Sequence, residues 1–167
     1  MRAIHTFSAL CLLNTSALAE VTMEFIEGAP KDRFTIVNAG ACPLGGTKIS
    51  IDLKGSAAGL VFDVSSEGAG VEVFQPFELT SGGGFVVAQP NVSDGDQELE
   101  IQLSQFLPGE TVSFTIDVDD TVSNRQITVS NAEIFGASFT VTTDTGRASG
   151  EFAGDARASA RLSTCTS

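Results

Sequence analysis

Apolar residues recur at every second position through most of this chain, and that spacing limits the possible folds more than any other feature. Val21, Met23 and Phe25 alternate in "EVTMEF", Phe34 and Ile36 in "RFTIVN", and Ile49, Ile51 and Leu53 in "TKISIDL". Leu60, Phe62 and Val64 follow, then Val71 and Val73 in "VEVFQPFEL", and Leu99, Ile101 and Leu103 in "ELEIQL". Val112, Phe114, Ile116 and Val118 continue the pattern, as do Ile127 and Val129, Phe139 and Val141, and finally Leu162. Side chains two residues apart on a strand share a face, so each segment presents one apolar side and one polar side. Gly-, Pro- and Asp-rich runs such as "GAPKD", "CPLGG", "SGGG", "SDGD", "LPGE" and "DTG" punctuate the segments. This predicts an all-β chain, a single antiparallel two-sheet β-sandwich of the jelly-roll-like or immunoglobulin-like kind. Pro108-Gly109 marks a turn that carries the chain from one sheet to the other. Pro76 cannot donate to a ladder, which places its segment at an edge or a bulge.

Ahead of the first strand, Arg2 precedes an apolar run from Phe7 to Leu13 and then the small-residue pattern Ala17-Leu18-Ala19. That is the layout of a secretory signal peptide over 1–19, cleaved before Glu20. The expected mature domain spans 20–167, exported to the periplasm or the extracellular space. No later segment approaches the ~20 apolar residues of a membrane-crossing helix, so no membrane insertion is expected. Two cysteines follow the signal, Cys42 and Cys165. In an oxidising compartment they are expected to pair as a structural disulfide.

Removing the signal removes the only histidine, His5, and the sequence has no Trp or Tyr. No Ser-His-Asp or Cys-His apparatus is then available, nor an imidazole ligand for zinc or copper. The usual flat platforms for stacking sugars are missing too. One catalytic arrangement survives, a carboxylate-only dyad acting on polysaccharide, because it needs only Asp and Glu. The alternatives are a non-catalytic binding module and an acidic periplasmic structural protein without metal. Charge points to partners: 8 basic against 21 acidic residues leave −13 after processing. Such a surface disfavours nucleic acid and favours cations or basic partners. The expected partners are an extracellular protein or polysaccharide, with self-association as a further route to bridging.

The acidic residues fall in clusters. In "FTIDVDD" the alternation turns Phe114, Ile116 and Val118 inward and Thr115, Asp117 and Asp119 outward, with Asp120 opening the loop. Asp117 and Asp119 lie about 7 Å apart along that face and repel unless a cation or basic side chain intervenes. "SDGDQE" sets Asp94 and Asp96 around a glycine, without the full spacing of an EF-hand loop. Calcium takes six to eight oxygens from carboxylates and loop carbonyls, so Asp117, Asp119, Asp120, Asp94 and Asp96 are its candidate ligands. Two other readings stay open: solvated acidic loops, or an ion pair in which Arg125 folds back onto Asp119 or Asp120. In "EGAPKDR", Glu27 and Asp32 have Lys31 and Arg33 beside them as neutralising partners.

Four stretches carry a family resemblance: "FIEGAPKDRFTIVN" (25–38), "SAAGLVFDVSSEGAGVEVFQPFEL" (56–79), "LPGETVSFTIDVDD" (107–120) and "ITVSNAEIFGA" (127–137). Together, and with the cysteine near the C-terminus, they resemble small exported bacterial proteins of the aggregation factor core family. The family takes its name from a sponge protein of calcium-dependent cell adhesion. The resemblance implies an exported β-sandwich with a binding role and strengthens the expectation of calcium. It brings no catalytic residues.

Overall fold

Alternation becomes strand wherever one face can be buried, and β1 (Ala19–Ile26) is the plainest case. Ala19, Val21, Met23 and Phe25 are buried, while the residues between them are partly exposed. The computed structural model describes residues 18–66, 74–122 and 129–162. The other strands are β2 (Asp32–Asn38), β3 (Leu44–Asp52), β4 (Val61–Phe62), β5 (Glu78–Ser81) and β6 (Val86–Ala88). They continue with β7 (Glu98–Phe106), β8 (Thr111–Ile116), β9 (Val118–Asp119), β10 (Ser138–Thr143), β11 (Gly146–Glu151) and β12 (Arg157–Leu162). One five-stranded sheet runs β12-β1-β2-β8-β5 and a second runs β11-β10-β3-β7-β6, with β4 and β9 forming a small ribbon. Every pairing among the described residues is antiparallel. The predicted two-sheet sandwich is the observed fold.

Phenylalanine joins the sheets. The Phe34 ring on β2 stacks on Phe114 of β8 at 5.2 Å between centroids and packs against Phe25 of β1 at the same separation. Phe152 reaches Phe34 at 6.5 Å from one side and Phe139 of β10 at 6.5 Å from the other, bridging the two layers. Backbones also close on each other at this border. A Cβ at Gly150 of β11 would lie 2.5 Å from the Ser159 carbonyl oxygen of β12, so only glycine fits. The Pro108-Gly109 turn links β7 in one sheet to β8 in the other, with Gly109 at φ +79 as the left-handed residue. Pro76 lies just outside β5, an edge strand, as its missing N–H demands.

Three expectations change. β8 is buried on both faces rather than one, and Thr115, Asp117 and Asp119 are buried instead of facing solvent. The regular strand stops at Ile116, and after the irregular step at Asp117 the chain resumes as β9, which pairs with β4. The strand expected over Leu60–Val64 shrinks to Val61–Phe62, because the Val64 and Ser65 amides donate to Asp94 Oδ1 and not to a ladder. Val129 is buried but lies in no strand. The signal run up to residue 17, together with Val71, Val73, Arg125, Ile127 and Cys165, lies outside the described residues. β1 begins at Ala19, one residue before the expected processing point.

Asn38 shows how a polar group is tolerated at full burial. Its Nδ2 donates to the carbonyls of Cys42 and Phe106, both at 2.8 Å, and its Oδ1 accepts from the Gly40 amide at 3.2 Å. One side chain thus ties the end of β2 to the 39–43 loop and to the end of β7 in the opposite sheet. Asn38→Ala removes the donors of two buried carbonyls, while the Gly40 amide keeps the Glu20 carbonyl at 2.9 Å, so it should cost about 2–4 kcal/mol. Urea denaturation of the variant measures this, and a loss below about 1 kcal/mol would show the tie to be dispensable.

Candidate functional site

Five aspartates gather where β2 begins, where β8 gives way to β9, and where β4 runs out toward the 93–96 turn. Asp32, the first residue of β2, is buried and accepts from two backbone amides: Gly28 N to Oδ1 at 3.0 Å and Val118 N to Oδ2 at 3.1 Å. Burial pushes its carboxyl up to about 7; the two amides oppose the shift, and the charges of Asp117 and Asp119 add to it. The neighbours expected to neutralise it do not. Lys31 pairs with Glu78, and Arg33 projects to the exposed side of β2, since alternation sends adjacent residues to opposite faces.

Asp117 occupies the step between β8 and β9. Its amide donates to the Gln75 carbonyl at 3.1 Å and its carbonyl accepts from the Asp63 amide at 3.1 Å. Burial raises its carboxyl to about 7, and the Asp119 charge contributes in the same direction. Asp119 lies on β9 opposite Val61.

Asp63 is the centre of the group. It follows β4 directly, is 1% exposed, and holds its side chain against both Asp94 and Asp119. Burial raises its pKa first, and the two neighbouring carboxyls raise it further. A carboxylate can only accept, so two of them in contact form a hydrogen bond only when one keeps a proton. Asp63 Oδ2 and Asp94 Oδ2 are both buried without a donor. Asp94 is otherwise well held, its Oδ1 taking Val64 N at 2.9 Å and Ser65 N at 3.0 Å. Burial alone would raise its pKa, but these amides and the contact with Asp63 outweigh that and lower it.

Of the ligands expected from sequence, Asp94 and Asp119 meet at Asp63, and Asp117 lies close behind Asp119. Asp96 does not join them, because its carboxylate closes its own turn on the Ser93 amide at 2.8 Å. Asp120 sits half-buried just past β9. Sequence reasoning missed Asp63 altogether and assigned Asp32 to the wrong partners. Nothing around "LVFDV" marks Asp63, since its place beside Asp119 depends on β4 pairing with β9. Lys31, Lys48, Lys54, Arg157 and Arg161 all pair with glutamates, leaving Asp32, Asp63, Asp94 and Asp117 without an ion pair among the described residues. Among those residues no group of three or more Asp, Glu, His or Cys side chains is placed so that it could hold a metal ion.

Next to the cluster opens a cleft of about 620 Å³, lined by Val64, Pro76, Phe77, Gln89, Pro90 and Asp94 among others. Its walls are the run out of β4, the run into β5 and the run out of β6. No family model matches the chain, and no curated protein matches it.

The raised carboxyls give the metal-free chain a pH dependence of definite sign. Between about pH 4 and pH 7 the folded chain keeps protons on Asp32 and Asp117 that the unfolded chain has released. Stability therefore falls as pH rises through that window and levels off above it. In chelator, the melting temperature should be about 5–10 °C higher at pH 5 than at pH 7.5. Asp117→Asn should reduce the difference without abolishing it, since Asp32 still titrates. Calorimetry at the two pH values tests this, and an unchanged or rising melting temperature at pH 7.5 would contradict it.

Proposed function

We propose that this chain is an exported, non-catalytic β-sandwich module of the binding or adhesion type, working in the periplasm or outside the cell. Its partner is an extracellular protein or polysaccharide, and calcium is the ion that stabilises its acidic end. The observation that carries this reading is the cleft beside the aspartates, where Val64, Pro76, Phe77 and Pro90 supply apolar contact and Gln89 and Asp94 supply polar anchors. The resemblance to aggregation factor core proteins agrees with a binding role.

The carboxylates favour binding over hydrolysis. Paired glycosidase carboxyls stand about 5–9.5 Å apart with the sugar between them. Here Asp63 touches Asp94 and Asp119 directly and is buried, which leaves no room for a glycosidic bond.

Export and a Cys42–Cys165 bridge belong to the same proposal. Cys42 is buried near the start of the processed chain, where the Gly40 amide donates to the Glu20 carbonyl at 2.9 Å. Glu20 pairs with Arg161 at the same end, four residues before Cys165. A non-reducing peptide map of secreted protein should yield one linked pair containing Cys42 and Cys165, with the N-terminus at Glu20. Two free thiols would remove the bridge.

The binding role is tested on intact cells of the producing organism. Labelled protein should bind saturably without lowering the viscosity of the cells' own polysaccharide. Gln89→Arg combined with Ser93→Arg, two exposed positions on the cleft, should weaken binding at least about tenfold. Equal binding by the variant would refute the cleft, and loss of viscosity would revive the hydrolase.

A further inference from the structure

We infer that this chain pairs with a second copy of itself through β11, an edge strand of the second sheet, in a two-fold register centred on Ser149. Backbone direction leaves that edge open. The Phe152 amide donates to the Ala137 carbonyl at 2.8 Å, and the Phe152 carbonyl accepts from the Gly136 amide at 3.1 Å, both on the β10 side. Phe152 continues the register in which Gly150 lies opposite Phe139 and Ala148 opposite Val141. Backbone groups of successive strand residues point in alternate directions, so Gly150 and Ala148 face β10 as Phe152 does. Arg147, Ser149 and Glu151 therefore turn their N–H and C=O groups away from the sheet, where no backbone group among the described residues meets them.

The side chains of the same three residues are exposed, while Ala148 and Gly150 face the core. Lay a second β11 antiparallel to the first with Ser149 opposite Ser149. Arg147 of one copy then stands across from Glu151 of the other, twice by symmetry, and the outward backbone groups of both strands meet at these same pairs. Neither Arg147 nor Glu151 has an ion pair of its own among the described residues. Charges on an edge strand ordinarily hold other strands off. Opposite charges placed equally far from the centre of symmetry attract instead.

The other three edges of the two large sheets lack this match. β5 has four residues and β6 three, and both slip register against their neighbours. β12 is as long as β11, but pairing about Ser159 would set Arg157 against Arg161, and Glu24 and Glu20 already hold those arginines. β11 and β6 lie at opposite edges of one sheet. Pairing through β11 thus leaves the two clefts, past the ends of the two β6 strands, on the far sides of a continuous sheet. Nine strand spacings separate those β6 strands, about 40 Å. A domain with one cleft becomes a particle with two that face apart, as bridging requires. The pairing does not depend on what the clefts hold.

The test follows the full secreted chain by sedimentation equilibrium at low salt. An edge of six residues buries less than a standard interface, so a dissociation constant of about 10–500 µM is expected. Arg147→Glu and Glu151→Arg each set like charges across the two-fold axis and should weaken pairing at least about tenfold. An equimolar mixture of the two should restore it, because every pair across the mixed dimer is again opposite in sign. Ser149→Pro removes an outward N–H that β10 does not use, and should abolish pairing with the fold retained. If that variant does not fold, the charge exchange decides alone. The proposal is overturned if the parent stays monomeric at about 1 mM, if either charge variant pairs as the parent does, or if their mixture stays monomeric. The Gln89→Arg/Ser93→Arg protein should pair normally even where cell binding is lost, so the edge and the cleft fail separately.

Discussion

Pairing β2 with β8 so that Phe34 meets Phe114 and Asp32 meets Ile116 commits both the core and the acidic end of the molecule. The first pair puts two rings in a stack that Phe25 and Phe152 extend across the sandwich. The second sets a buried carboxylate where the regular strand runs out, and Asp32 captures the Val118 amide just beyond that point. Strand register is a single choice with period two, so a slip of one residue would turn the Phe stack to solvent and move Asp32 off Val118. Core packing and carboxylate crowding are therefore products of one alignment.

Polar groups inside this fold divide by how fully they are satisfied. Asn38 uses both donors and its acceptor, and Asp32 spends each oxygen on a backbone amide. These act as ties between segments. Asp94 is satisfied on one oxygen only, and Asp63 Oδ2 has no donor. A fold that satisfies Asn38 and Asp32 so fully and leaves an oxygen of Asp63 and one of Asp94 without a donor has concentrated its unfavourable electrostatics at one end. That spot borders the cleft, so whatever neutralises the carboxylates also governs the shape of the surface a partner would meet.

The glutamates behave differently from the aspartates. Glu20, Glu24, Glu78, Glu98 and Glu100 stand on exposed strand faces and reach lysines or arginines on neighbouring strands or segments. Such exposed pairs contribute little to stability, typically under about 1 kcal/mol. Their effect is on charge distribution: they use up basic side chains on the sheet surfaces and leave the end with Asp63 strongly acidic.

Alternation in the sequence determined the fold class, the inward faces of β1, β2, β3, β7 and β10, and the sheet-to-sheet turn at Pro108-Gly109, because side-chain period and turn chemistry act over a few residues. Composition determined the donor set, since a chain whose only histidine is His5 and that lacks Trp and Tyr has carboxylates and little else for ligand chemistry. Tertiary structure decided which carboxylates meet. Asp117 and Asp119 read as outward by alternation, yet both are buried where the strand breaks at Asp117 and β9 pairs with β4. Asp63 and Asp119 are far apart in sequence with no local cue, and Asp32 lost its sequence neighbours to the opposite face of β2. Long-range strand pairing alone brings such groups together, and it leaves no mark on the residues beside them.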